Sequence, residues 1–325
     1  MAERTGISWC DATFSLWMEG TRLITSDDNW KKPLKWNKAS ACNCFAKQEY
    51  REEHLLGCPQ RTRPRVFCAS LSDIFEDWKG EIFNSDGDVL YDDRADGASS
   101  RYSDKDGHRL YSTMNDVRAR LFKLIDATPH LDWLLLTKRP ENIRKMWLIH
   151  PSGRRDNVWL GTSVENQEYA EKRIPELLKC RDLSPVLFLS CEPMLGPVEL
   201  SQMSMIDFVI SGGDSGLSAR PSHPDWFRSL RDQCKEANVP FHFSQFGEWA
   251  PIENHHVMVE KSKGGNYGTT PSGEKIFADD KRPLHIWPLL EVDNDDSFSA
   301  IRVGVKAAGR LLDGVLHDAF PEARS

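Results

Sequence analysis

The chain has no apolar run long enough to cross a bilayer, and its first residues, MAERTGISWC, carry no signal-peptide pattern. A cytoplasmic, non-membrane protein is the expectation. It has no excess of positive charge: 42 Lys and Arg stand against 49 Asp and Glu, a formal charge of −7. That removes any global electrostatic case for nucleic acid and leaves only local basic patches to bind phosphate. A phosphate loop is also missing, because no Gly-Lys-Ser/Thr follows GGNYG at 264–268. The acidic pieces SDGD and SDKDG lack the closing Glu of a calcium loop. Eight cysteines are present without a secretion signal, which argues against a disulfide framework.

What the chain does have is a repeated unit. LDWLLLTKRPENI (131–143) is an apolar run that turns abruptly to Thr137, Lys138, Arg139 and Pro140. RVFCASLSDIF (65–75) ends on Ser70, Ser72 and Asp73, and NVWLGTSVEN (157–166) on Thr162, Ser163 and Glu165. PVLFLSCEP (185–193) ends on Ser190 and Glu192, and IDFVISGGDSG (206–216) on Gly212, Gly213, Asp214 and Ser215. VPFHFSQFGEW (239–249) ends on Ser244, Gln245 and Glu248, and GISWCDATF (6–14) reads as an earlier strand. Continuous apolar runs read as strands buried on both faces.

Helical patterns alternate with them. DVRARLFKLIDA (116–127) places Val117, Leu121, Leu124 and Ile125 at helical spacing; NQEYAEKRIPELLKC (166–180) and HPDWFRSLRDQCKEA (223–237) follow later strands. The alternation predicts a parallel β/α barrel, TIM-like and complete or partial, spanning 1–325 as a single domain. Two stretches break the rhythm: a polar insertion at 79–112 and an irregular one at 251–303 before a C-terminal helical run, VGVKAAGRLLDGVLHDAF.

In such folds the carboxyl ends of the strands carry the site. Strand ends are polar in any fold, but their recurrence with Glu, Asp, Lys and Arg predicts a rim of function. Glu165, Glu192 and Asp214 are the candidate catalytic carboxylates. Ser70, Asp73, Lys138, Arg139, Ser163, Ser215, Arg220, Gln245 and Glu248 are candidate substrate contacts, and Gly212 and Gly213 admit a cofactor close to the backbone. Lys138, Arg139, Glu165, Glu192, Asp214 and Arg220 are expected at one mouth. Trp30, Trp36, Trp78 and Trp249 are either stacking platforms for bases or core residues.

Cys68, Cys180, Cys191 and Cys234 lie within strand or helix patterns and read as small buried residues. Cys42, Cys44 and Cys58, in ACNCFAKQEYREEHLLGC, are candidate metal ligands for zinc or an iron–sulfur cluster, with His54 as a further donor.

Several of these pieces together resemble a phage and prophage family of unknown function whose members look like radical-SAM barrels. They are GISWCDATF, SDDNWKKPLKWN, RPRVFCASLSDIFEDW, ATPHLDWLLLTKRPENI, NVWLGTSVENQEYAEKRIPELL, FLSCEPMLGPVEL, IDFVISGGDSG, PFHFSQFGEWAP and VGVKAAGRLLDGVLHD. The resemblance implies a [4Fe–4S] cluster, S-adenosylmethionine and action on a nucleotide or nucleic acid. Members carry a Ser-Pro-Gly-Cys-x-x-Cys-Tyr-Ala loop after the first strand. Here ATFSLW runs directly into MEGTRLITSDDNW, and that loop is missing; Asp214 and Ser244 replace the family's usual Glu and Lys. Two readings follow. In one, Cys42, Cys44 and Cys58 rebuild a variant cluster and the chain is an enzyme. In the other, the cluster is lost and the rim serves as a non-catalytic nucleotide-, nucleic-acid- or protein-binding surface. Oligomeric state is not legible.

Overall fold

The computed structural model describes residues 22–40, 63–68, 73–80, 82–84, 89, 113–148, 150–151, 153–251 and 298–321, with strand backbone at 7–10, 260–262, 265–269, 275–277 and 286–290. Seven strands, β1 (Ile7–Cys10), β2 (Arg65–Cys68), β3 (Asp132–Thr137), β4 (Val158–Ser163), β5 (Val186–Cys191), β6 (Phe208–Gly212) and β7 (Phe241–Gln245), lie in one sheet in chain order. The β1–β2, β2–β3, β3–β4 and β6–β7 pairs are parallel. Helices α1 (Asp27–Ser40), α2 (Met114–Asp126), α3 (Gln167–Leu178) and α4 (Pro224–Glu236) complete an α/β fold. Among the described residues, no helix is long and apolar enough to cross a membrane.

Every residue of β3, β4, β5 and β6 is buried. These are the continuous apolar runs of the sequence, and burial on both faces is why they do not alternate. The expected strands and the helices expected at 116–127, 166–180 and 223–237 fall within a few residues of their predicted bounds, whereas α1 was not expected from the sequence. In α2 the buried face includes Val117, Leu121, Leu124 and Ile125, and Asp116 accepts from the Thr113 N–H (2.8 Å) and hydroxyl (2.7 Å) at the helix start. Pro224 opens α4, where its missing N–H costs nothing, and His223 Nδ1 accepts from the Asp225 N–H at 3.1 Å.

The chain divides into two compact units. The first comprises Met1–Thr162, Arg173–Phe188 and Glu322–Ser325; the second comprises Ser163–Lys172 and Leu189–Pro321. In the first, Phe188 packs against bare backbone: a Cβ at Gly161 would lie 2.3–2.4 Å from its ring. A two-residue parallel pair, Arg22–Leu23 with Ile82–Phe83, was not expected from sequence; most of the polar insertion around it lies outside the described residues.

The second unit departs from expectation at its end. The run VGVKAAGRLLDGVLHDAF forms one short helix, Val305–Ala308, followed by a hairpin pairing Leu311–Leu312 with Val315–Leu316. The turn residues Asp313 (φ 53°) and Gly314 (φ 74°) both take positive φ, as a two-residue Asp-Gly hairpin requires. Arg228 and Arg231 of α4 hold the Asp313 carboxylate at 2.9 and 2.6 Å. Helical spacing of the apolar residues was misleading because the Asp-Gly pair decides this segment. The 251–303 stretch also contains strand: Ile286–Leu290 and Trp249–Pro251 flank Phe298–Arg302 in an antiparallel sheet, and a second antiparallel sheet joins Glu260–Ser262, Gly265–Thr269 and Lys275–Phe277.

Gly161→Ala should destabilise the protein by about 1–3 kcal/mol, because the added methyl must displace the Phe188 ring. Chemical denaturation measures it, and an unchanged midpoint would show that the ring yields freely.

Candidate functional site

The strand-end residues fall into two sets, one in each unit. In the first unit, the end of β3 closes on the loop after β2. Asp73 is 5% exposed and accepts four hydrogen bonds. Its Oδ1 takes the Phe75 N–H (3.0 Å) and the Thr137 hydroxyl (2.7 Å). Its Oδ2 takes the Lys138 N–H (3.0 Å) and Arg139 Nη1 (2.9 Å). All the lone-pair sites of the carboxylate are thereby used. Arg139 Nη2 also reaches Glu76 Oε1 (3.1 Å), and Arg22 grips Glu76 through Nε (2.7 Å) and Nη2 (2.9 Å). The Arg22 guanidinium lies 4.3 Å from the centroid of Trp78. Beneath the loop, buried Arg118 donates to the Ile74 (2.6 Å) and Glu76 (3.0 Å) carbonyls, and Asn142 Nδ2 to the Phe75 carbonyl (2.9 Å).

The Thr-Lys-Arg-Pro end of β3 thus has a local explanation. It pins the Asp73 loop with a hydroxyl, a backbone N–H and a guanidinium. Sequence reading singled out Asp73 and Arg139 but missed Glu76, Arg22 and Arg118. Glu76 stands three residues after Asp73 in SDIFEDW, which is a legible signal; Arg22 carries none. Ser70, Cys42, Cys44 and Cys58 lie outside the described residues.

The second unit is arranged differently. Glu192 follows β5 through a cis peptide bond to Pro193. Its Oε1 accepts from the Ser244 hydroxyl, and this is the side chain's one hydrogen bond among the described residues. Two backbone features make the meeting possible. Ser211 pairs with Phe243 but Gly212 with Gln245, so Ser244 is an extra, bulged residue. A bulge re-aims its side chain. Gly212 supplies the space: a Cβ there would lie 2.5 Å from both Glu192 Oε1 and Ser244 Oγ. Burial pushes the Glu192 carboxyl above the ordinary Glu range, and the Ser244 hydrogen bond opposes that shift in part.

Around this pair the loops are stitched backbone to backbone. The Gly213 N–H donates to Gln245 O (2.9 Å), the Glu248 N–H to Asp214 O (2.9 Å), and the Met194 N–H to Gly212 O (3.0 Å). A Cβ at Gly213 would sit 1.9 Å from Phe246 O, so only glycine allows this approach. Asp214 Oδ1 caps the Ser215 N–H (3.0 Å), and Oδ2 takes Arg220 through N–H (3.2 Å) and Nε (3.0 Å). Glu165 is buried, and its carbonyl accepts the Leu195 N–H at 2.7 Å; Ser163 is buried at 2% exposure. The Glu248 carbonyl accepts from Val303 (2.9 Å) and Gly304 (3.1 Å).

Of the four tryptophans read as either stacking platforms or core residues, two are core. Trp30 is 4% and Trp249 5% exposed, and Trp249 Nε1 donates to the Ala219 carbonyl at 2.8 Å. Large aromatic area favours burial; the Trp30 Nε1 is buried without a hydrogen-bond partner among the described residues. Trp36 and Trp78 are half-buried. Cys68, Cys180, Cys191 and Cys234 are buried, as their positions implied. Burial pushes the Cys180 thiol up to about 11 and Cys234 up to about 12, and raises Cys191 well above its ordinary value. Protonated thiols are poor nucleophiles and ligands. Among the described residues, no group of three His, Cys, Asp or Glu is arranged to hold a metal ion.

A family model described as "Protein of unknown function (DUF5131)" matches residues 109–321. The chain belongs to this family. The matched region includes Lys138, Arg139, Glu165, Glu192, Asp214, Arg220 and Gln245. Asp73, Glu76 and the three candidate metal-ligand cysteines precede it. No curated protein and no solved structure matches the chain.

Arg139→Ala strips a guanidinium from a buried carboxylate and should cost about 2–4 kcal/mol in denaturant unfolding; Arg139→Lys should recover only part, lacking the planar fork. Glu192→Gln should act with the opposite sign. The folded state holds the Glu192 proton more tightly than the unfolded chain, so its contribution is fully present below the ordinary value of 4.5 and is lost as pH rises through the raised folded value. The variant should therefore gain in melting temperature over the native chain as pH is raised from below 4.5 to neutrality. A constant difference across that range would show that Glu192 titrates normally.

Proposed function

We propose that the second unit binds a small polar ligand of nucleoside type at the carboxyl ends of β5, β6 and β7. The observation that carries this is Glu192: a recessed carboxyl that, among the described residues, has no cation against it and one hydrogen bond, from Ser244, beside a glycine whose missing Cβ makes room for both side chains. Keeping such a group costs stability relative to a neutral residue, and that cost is a mark of function. A carboxylate beside close-approaching backbone is a known means of gripping ribose hydroxyls in α/β folds. Strands in chain order with parallel neighbours suit a complete or partial β/α barrel, whose ligand sites lie at these same strand ends.

The resemblance to radical-SAM barrels supplies the finer reading: the ligand is S-adenosylmethionine or a nucleotide, the chain is phage-derived and cytoplasmic, and Cys42, Cys44 and Cys58 hold a variant cluster. Such a cluster would supply the electron for cleaving the bound cofactor. Within this unit, Glu192 and Ser244 orient the ligand, and Asp214 holds Arg220 at the edge of the Gly212–Gly213 turn. Without the cluster the same unit is a binding protein that has kept the ligand and lost the chemistry.

One set of measurements separates these outcomes. S-adenosylmethionine and adenosine are titrated calorimetrically into the full chain before and after anaerobic reconstitution with iron and sulfide. Binding of either should weaken about tenfold in Glu192→Gln, the scale of a lost hydrogen bond to a charged group. Unchanged affinity in that variant would place the site elsewhere. A brown protein that loses its colour in the Cys42→Ala, Cys44→Ala, Cys58→Ala triple variant supports the enzyme; a colourless protein that still binds supports the binding protein.

A further inference from the structure

Arg310 follows the short helix Val305–Ala308 and opens the C-terminal hairpin. Its Nε and Nη2 are buried and have no hydrogen-bond partner among the described residues. A guanidinium keeps its charge in proteins, and a charge removed from water without a partner is costly. The two orphan atoms are not an arbitrary pair. Nε and Nη2 form the side edge of the guanidinium, whose parallel N–H groups fit the two oxygens of one oxyanion.

The chain uses that edge repeatedly. Arg22 presents it to Glu76 at 2.7 and 2.9 Å, Arg155 to Asp126 at 2.7 and 3.1 Å, and Arg231 to Asp232 at 2.8 and 3.1 Å. At Arg310 the same edge is buried and holds no hydrogen-bond acceptor among the described residues.

A complementary orphan lies beside it. The Phe246 N–H donates to the Gly309 carbonyl at 3.2 Å, which brings the end of β7 against the residue before Arg310. Gln245, the residue before Phe246, has a buried Oε1 that also lacks a hydrogen-bond partner among the described residues. One side chain offers two unused donors and the other an unused acceptor. Both flank one backbone hydrogen bond, and they do not bond each other.

We propose that Arg310 and Gln245 form an oxyanion site: a carboxylate or phosphate seats on the Nε/Nη2 edge of Arg310, and a hydroxyl or amino group of the same molecule donates to Gln245 Oε1. The site uses no part of the Glu192 carboxyl and stands or falls apart from the function proposed above.

The test is calorimetry on the full chain with inorganic phosphate, acetate and glycolate, each against chloride at equal ionic strength. At least one of phosphate and acetate should bind, and comparing the two identifies the preferred oxyanion. Arg310→Lys keeps the charge but not the fork and should weaken binding about tenfold or more. Glycolate, with a hydroxyl beside its carboxylate, should bind more tightly than acetate, and Gln245→Met should erase that advantage. The arginine Nε–H resonances of the native chain provide a reading that does not depend on a variant folding: one of them should shift on titration. No heat and no shifted Nε–H resonance with any anion would overturn the site. Unchanged affinity in Arg310→Lys would remove Arg310 from it, and equal affinity for glycolate and acetate would remove Gln245.

Discussion

A parallel sheet covered on both faces has no room for polar side chains except where its strands stop. Every residue of β3 to β6 is buried. The interior therefore selects apolar residues, and hydroxyls and charges are confined to the strand ends. Most of the chemistry described above follows from this confinement. Thr137 and Arg139 at the end of β3, Glu192 beyond β5, Gly212 to Asp214 at the end of β6, and Ser244 and Gln245 at the end of β7 are polar or bare because they sit where the apolar requirement lapses.

Confinement does not by itself make a site, and the two units show different uses of the same position. In the first, charge is spent on charge. Asp73, Glu76, Arg139 and Arg22 satisfy one another, and Asp73 has no acceptor capacity left. Such a network orders a loop, because every member needs the others to offset its burial. In the second, Glu192 has one hydroxyl donor and no cation partner among the described residues, and burial raises its proton affinity. Arg310 keeps two buried N–H groups without a hydrogen-bond partner among the described residues. Groups left short of partners in an otherwise well-bonded fold are where a ligand contributes most.

Glycine is what separates the two cases in physical terms. At Gly161 the missing Cβ admits a phenyl ring and serves packing alone. At Gly212 it admits a carboxyl and a hydroxyl, and at Gly213 it lets two loops touch backbone to backbone. One residue type, placed at mid-strand or at strand end, gives core in one place and a recessed polar space in the other.

By itself the sequence determined the α/β class, the seven strands in order, three of the four main helices and the polar character of the strand ends, because those depend on local periodicity and on burial that any packed sheet demands; α1 was not among the expected helices. The tertiary structure alone decided which ends are committed and which are open. Asp73 and Glu192 look alike in the sequence, each an acid just past an apolar run. Only the arrival of Arg139 from 66 residues away saturates the one, and only a bulge that swings Ser244 across Gly212 gives the other a single partner. The C-terminal hairpin shows the same division from the other side. Its Asp-Gly turn is a signal in the sequence that the helical spacing masked, but that two N–H groups of Arg310 would be buried near Gln245 was not legible, because hydrogen bonds between segments distant in the chain are set by packing and leave no periodic trace in the residues that make them.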